Sequence, residues 1–125
     1  MAGKKILIID DDKDLRLALS IRLRASGYDV AMATDAISAM SVALKERPDL
    51  VLLDVNMPGG NGFMIMERFR MSTHLESTPV IVLTGGDPIV YREKAFNLGA
   101  VDFFEKPADN DALLASIRRT LGESV

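Results

Sequence analysis

The stretch Lys5–Asp12, KILIIDDD, runs four aliphatic residues, Ile6 to Ile9, straight into three carboxylates. A short continuous apolar run of this kind suits a strand covered on both faces, as in a parallel sheet. The acids that follow need a reason of their own. Like charges a few ångströms apart repel, so a folded chain holds Asp10, Asp11 and Asp12 together when a cation sits among them or water screens them. The pattern recurs downstream, with Val51–Leu53 running into Asp54 and Val80–Leu83 into Thr84. Tyr28–Met32 and Val101–Phe104 are weaker strand candidates, the latter leading through Glu105 to Lys106.

Between these runs the apolar spacing is helical. Leu15, Leu19 and Leu23 form one stripe, Ala36, Ala39, Met40, Ala43 and Leu44 the clearest, and Leu113, Ile117 and Leu121 the last. Phe63 to about Met71 reads as a helix with a blurred apolar face, and Ile89 to Leu98 as a poorer one, expected to pack loosely. Thr34 or Asp35 caps the second helix, Asp87-Pro88 reads as cap and first-turn proline, and Asp109 or Asn110 caps the last. Gly27, Gly99 and Gly122 stand where helices should stop. Gly59-Gly60-Asn61-Gly62 and Gly85-Gly86 read as flexible loops. Strand and helix thus alternate in a (βα)5 order, which implies an α/β fold with a parallel sheet and helices on both faces.

A chain of 125 residues, 48% of them hydrophobic, suits one globular domain. Its net charge of -3 offers no basic face for phosphates, which argues against direct nucleic-acid binding. Without cysteine there is no disulfide framework, thiolate zinc site or thiol nucleophile. No signal peptide or membrane span is legible, so a cytoplasmic protein that does not contact membranes is expected.

In a parallel sheet the carboxyl ends of the strands share one edge, where open α/β sheets bind ligands. Asp10–Asp12, Asp54, Thr84 and Lys106 all fall there. Taken singly, each has a bland explanation: a helix cap, a turn residue, a surface charge. Together, two sources of carboxylate, a hydroxyl and an ammonium describe a site for a hard divalent cation and an anionic, oxygen-rich group. Mg²⁺ suits it, since Mg²⁺ takes a few carboxylate oxygens, keeps several waters and shares the rest with phosphate. The implied chemistry is phosphoryl transfer by positioning and charge neutralisation, with Asp54 as the acceptor carboxylate.

IIDDD, LLDVNMPGGNG, VIVLTGG and FFEKP, in that order and spacing, resemble the receiver domain of bacterial two-component response regulators, over Lys5 to about Leu121. The resemblance implies a single receiver domain with a flavodoxin-like, doubly wound sheet of strand order 2-1-3-4-5. It makes Asp54 the phosphoacceptor, Asp11 a direct metal ligand, Asp10 a ligand mainly through water, and the backbone carbonyl of Asn56 a further ligand, leaving Asp12 to cap the first helix. Thr84 would bond a phosphoryl oxygen and Lys106 would pair with the phosphoryl group, aimed by a cis Lys106-Pro107 bond. The switch aromatic would be Phe103, which departs from the commoner Tyr; its alternative is ordinary core packing. The implied partners are a histidine kinase or histidine phosphotransfer protein and a downstream output domain or target. Partners and homodimer contacts would use the fourth helix, fifth strand and fifth helix. The implied module is a signalling switch rather than an enzyme, although it assists its own phosphorylation and dephosphorylation.

His74 reads as a solvated surface residue, and Met57, Met64, Met66 and Met71 as fillers of packing gaps. Three rival readings fit less well. An aspartate-nucleophile phosphatase needs a second Asp two residues after the nucleophile, where this chain has Asn56. A degenerate receiver that only docks would usually have lost Asp11, Asp54, Thr84 or Lys106, all present here. A dinucleotide-binding fold would follow its first strand with a glycine-rich cradle, not acids.

Overall fold

The computed structural model describes residues 3–57 and 60–123, without the side chains of residues 60 and 61. The apolar runs form strands β1 (Lys5–Ile9), β2 (Asp29–Ala33), β3 (Leu50–Leu53), β4 (Val80–Thr84) and β5 (Asp102–Glu105). The helices are α1 (Lys13–Ala25), α2 (Ala36–Glu46), α3 (Gly62–Met71), α4 (Pro88–Asn97) and α5 (Asn110–Thr120). The strands pair in parallel in the order β2-β1-β3-β4-β5, as the resemblance implied.

Successive side chains of a strand point to opposite faces, so an unbroken apolar run supplies two cores at once. Ile6, Ile8, Leu50, Leu52, Ile81 and Leu83 pack with Leu19 and Leu23 of α1 and Leu113 and Ile117 of α5. Leu7, Ile9, Val51, Leu53, Val82 and Phe103 pack with residues of α2, α3 and α4 on the other face. Each fully buried Leu, Ile or Phe contributes about 1.5–3 kcal/mol of hydrophobic stabilisation, so these two layers carry the fold. Only Ala95 of α4 is buried, the loose packing expected of that helix.

Aspartates start the helices because a carboxylate can accept the orphan N–H groups of a first turn. Asp12 accepts from Leu15 N, Asp35 from Ser38 N, Asp87 from Ile89 N and Asp109 from Asp111 N, which settles the second and last caps on Asp35 and Asp109. Gly27, Gly99 and Gly122 take positive φ just past α1, α4 and α5. The end of α2 is different: Arg47 adopts the left-handed conformation at φ 47, next to the buried Pro48.

Two expectations need correction. The 59–62 stretch is not simply a loop: Gly60–Asn61 pairs antiparallel with Asn56–Met57, and Gly62 is the buried first residue of α3; Gly59 lies outside the described residues. Met57 and Met66 fill the core, but Met64 and Met71 are 47% and 84% exposed, because Phe63, Ile65, Met66 and Phe69 already occupy the inner side of α3. His74 is exposed, as expected.

Candidate functional site

The chain leaves β1, crosses to β2 on one side and returns past β1 to β3 on the other. The strand order therefore reverses between β1 and β3, and a crevice opens at their carboxyl ends. Ile9 pairs with Leu53, so the next residues, Asp10 and Asp54, emerge level with each other, and Asp54 N donates to Ile9 O at 2.9 Å. Thr84 is the last residue of β4, and Lys106, the first beyond β5, donates its N–H to Thr84 O at 3.0 Å. Four strand ends thus bring together the residues singled out in the sequence.

Asp54 is 4% exposed, and both its oxygens are engaged. Oδ1 accepts from the Thr84 hydroxyl and the Asn56 N–H, both at 2.8 Å, and Oδ2 from Lys106 Nζ at 3.2 Å. The same ammonium lies 2.8 Å from Asp10 Oδ2, while Asp10 Oδ1 accepts from Asp12 N at 2.9 Å. Burial pushes the Asp10 carboxyl above its ordinary value, and the Lys106 and Asp12 contacts offset only part of that. Burial alone would lower Lys106, but its bonds to Asp10 and Asp54 outweigh it and hold the ammonium above its ordinary value.

Asp10, Asp11 and Asp54 each offer an oxygen, all within 4.8 Å of one another, with Asp10 and Asp54 buried and Asp11 exposed. One ammonium stands against three carboxylates, so the cluster has negative charge to spare. Hard oxygen donors with water access on the Asp11 side fit a hard cation that keeps part of its hydration shell. The Asn56 side chain is exposed, while its main chain takes part through the N–H to Asp54.

The surroundings add what sequence reasoning missed. A Cβ on Gly62 would lie 2.3 Å from Val55 Cα and 2.9 Å from Asp54 O, so α3 can start against the acceptor's own backbone only as glycine. Gly85 faces open space, whereas a Cβ on Gly86 would run into the Tyr91 ring, which packs edge-on against Phe63. Arg16 of α1 donates from Nη1 to the Asp10 carbonyl at 2.7 Å. Gly62 was legible only as a turn former, and Arg16 carried no signal at all. Phe103 is 6% exposed and sits in the core, with the Arg92 guanidinium 5.9 Å from its ring centre. Lys106-Pro107 is cis.

The parallel sheet thus gathers an acid cluster, a hydroxyl and an ammonium at its carboxyl edge. Residues 6–118 match the response regulator receiver domain, and the chain belongs to that family. It is 34% identical over 121 residues to sporulation initiation phosphotransferase F of Bacillus subtilis, covering 97% of this chain and 96% of that protein. It is 38% identical over 117 residues to the DNA-binding dual master transcriptional regulator RpaA of Synechocystis sp., covering 94% of this chain but only 48% of RpaA. The chain thus spans about half the length of that regulator. Among solved structures, Vibrio cholerae chemotaxis protein CheY4 superposes with a TM-score of 0.87 at 32% identity, covering 95% of this chain and 99% of that one. The BeF3-activated receiver domain of Klebsiella pneumoniae RstA also gives 0.87, at 29% identity, covering 94% and 98%. Among the described residues no helix is long and apolar enough to cross a membrane.

Proposed function

We propose that this chain is a phosphorylation-controlled switch that takes a phosphoryl group from the phosphohistidine of a histidine kinase or histidine phosphotransfer protein onto Asp54. The observation that carries this reading is the convergence of Thr84 and Lys106 on the two oxygens of one buried carboxylate beside two further acids. An Asp54 oxygen attacks phosphorus, the P–N bond to the donor imidazole breaks, and its electron pair leaves on the imidazole nitrogen. The ion held would be Mg²⁺, on Asp11, Asp54 and the Asn56 carbonyl with Asp10 acting through water, and it would neutralise charge on the phosphoryl oxygens. The Thr84 hydroxyl and the Lys106 ammonium, both already bonded to Asp54, exchange that partner for oxygens of the transferred group. Asn56 stands where a phosphatase of the aspartate-nucleophile class would need its general acid, which argues against turnover of that kind. The chain therefore acts as a signalling module that assists its own phosphorylation and dephosphorylation rather than as an enzyme.

Thr84 and Phe103 are the switch pair. Their inward arrangement, a hydroxyl on Asp54 and a buried ring, corresponds to the state that phosphorylation would favour, and the missing phenol oxygen removes one reason for the ring to point outward. The surface under control is α4, β5 and α5, where Ile89 and Val90 are 84% and 56% exposed and Val101, just before β5, is 47% exposed. Apolar side chains left in water on a switch surface support an output domain, a target protein or a second copy of this chain as the occupant. Beside the site, a groove of about 480 Å³ between α1 and the β5–α5 loop, lined by Leu15, Leu19, Leu83, Pro107 and Leu113, gives the phosphodonor protein an apolar footing.

The test is intact-mass spectrometry after incubation with a small acyl phosphate, with and without Mg²⁺, on the parent and on Asp54→Asn. A Mg²⁺-dependent gain of one phosphoryl group, lost in the variant, is expected. No gain under any condition, with beryllofluoride also failing to bind, would reduce the chain to a docking module.

A further inference from the structure

The three carboxylates of the cluster are not held equally. Asp10 is pinned by Lys106 and the Asp12 amide, and Asp54 by Thr84, Asn56 and Lys106. Asp11 is exposed, and its side chain has no hydrogen-bond or ion-pair partner among the described residues. Its backbone is what fixes the bond from which that side chain departs, and the side chain that grips that backbone is Arg16. From the first turn of α1 the part-buried Arg16 folds back past the start of its own helix, and Nη1 donates to the Asp10 carbonyl at 2.7 Å. That carbonyl belongs to the peptide joining Asp10 to Asp11.

The carboxylates of the cluster attract a guanidinium there, whereas the positive end of the α1 dipole and a divalent cation in the pocket would repel it. We propose that Arg16 is a positioning residue: it locks the Asp10–Asp11 peptide so that the Asp11 carboxylate leaves the strand toward Asp54. This inference rests on the reading of the cluster as a Mg²⁺ site. The two possible roles of Arg16 predict opposite signs. If it is only a nearby charge, removing it strengthens Mg²⁺ binding; if it aligns a ligand, removing it weakens binding.

The experiment is a Mg²⁺ titration of the full chain by calorimetry, repeated on Arg16→Met, which keeps most of the stem and loses the donor, and on Arg16→Lys, which restores one. Amide NMR shifts of Asp11 and Asp54 are followed in parallel. Arg16→Met is expected to weaken Mg²⁺ about tenfold, equivalent to about 1.4 kcal/mol, with the metal-free Asp11 amide resonance displaced. Arg16→Lys is expected to bind within about threefold of the parent, a rescue that loss of generic packing would not permit. Binding by Arg16→Met as tight as or tighter than the parent overturns the positioning role while leaving the Mg²⁺ site standing. A parent that binds no Mg²⁺ overturns both. Should Arg16→Met not fold, Arg16→Leu, also neutral and without a donor, takes its place: binding as tight as or tighter than the parent overturns the proposal, and weaker binding supports it.

Discussion

Replacing Lys106 with methionine removes the one cation that, among the described residues, is ion-paired with both Asp10 and Asp54, at 2.8 and 3.2 Å, while keeping a side chain of similar reach. The Asp10 and Asp54 side chains are 3% and 5% exposed and that of Lys106 is 22% exposed, so water reaches the ammonium more readily than the acids. Breaking a buried ion pair by deleting one partner costs about 3–5 kcal/mol. Water entering at the Lys106 position, and uptake of a proton by Asp10, whose carboxyl burial already pushes upward, reduce that to about 2–3 kcal/mol here. For a domain of this size such a loss lowers the unfolding midpoint by roughly 10 °C. Calorimetry or circular dichroism in a chelator, then in excess Mg²⁺, measures it. The drop should appear in the chelator and be largely recovered in Mg²⁺, because a divalent ion supplies the countercharge that lysine gave. The gap should also narrow as pH falls through the carboxylate range, since protonation removes the repulsion that only the variant leaves unbalanced. Equal midpoints for variant and parent in chelator would refute the reasoning, and would mean that desolvation of the three charges cancels their attraction.

Three further predictions separate neighbouring residues. Asp11→Ala should weaken Mg²⁺ binding far more than Asp12→Ala, whose main effect is the lost α1 cap to Leu15 N and about 1 kcal/mol of stability; equal Mg²⁺ affinities by calorimetry would reassign the cluster. Gly85→Ala, with nothing near its Cβ, should stay within about 0.5 kcal/mol of the parent, whereas Gly86→Ala must displace the Tyr91 ring and should cost about 1–3 kcal/mol in urea melts. The Tyr28 hydroxyl is pushed up to about 12, first by burial and then by its bond to Glu123 at 2.6 Å. Folding therefore disfavours the phenolate: stability is full below about pH 10 and falls toward pH 12, by up to roughly 3 kcal/mol. Alkaline melts of Tyr28→Phe should lack that slope.

The residues of the site were readable along the chain because each is punctuation at the end of an apolar run. Asp10, Asp54, Thr84 and Lys106 mark where a strand stops, and the parallel order inferred from alternation carries those four stops to one edge. The helix caps and the glycines at φ 95, 100 and 74 were legible for the same reason, since capping and chain reversal are settled within a few residues. What local pattern could not convey depends on how closely separate segments approach. Gly62 is required by the 2.3 Å that would separate its Cβ from Val55 Cα, a distance created by seating α3 against the end of β3. Met64 and Met71 are exposed because other side chains of α3 had already filled the space against the sheet. The inward ring of Phe103 and the reach of Arg16 back to the Asp10 carbonyl likewise exist only once helix and sheet are packed. Periodicity reports which face of an element is apolar; the distance between two faces is a property of the assembled core.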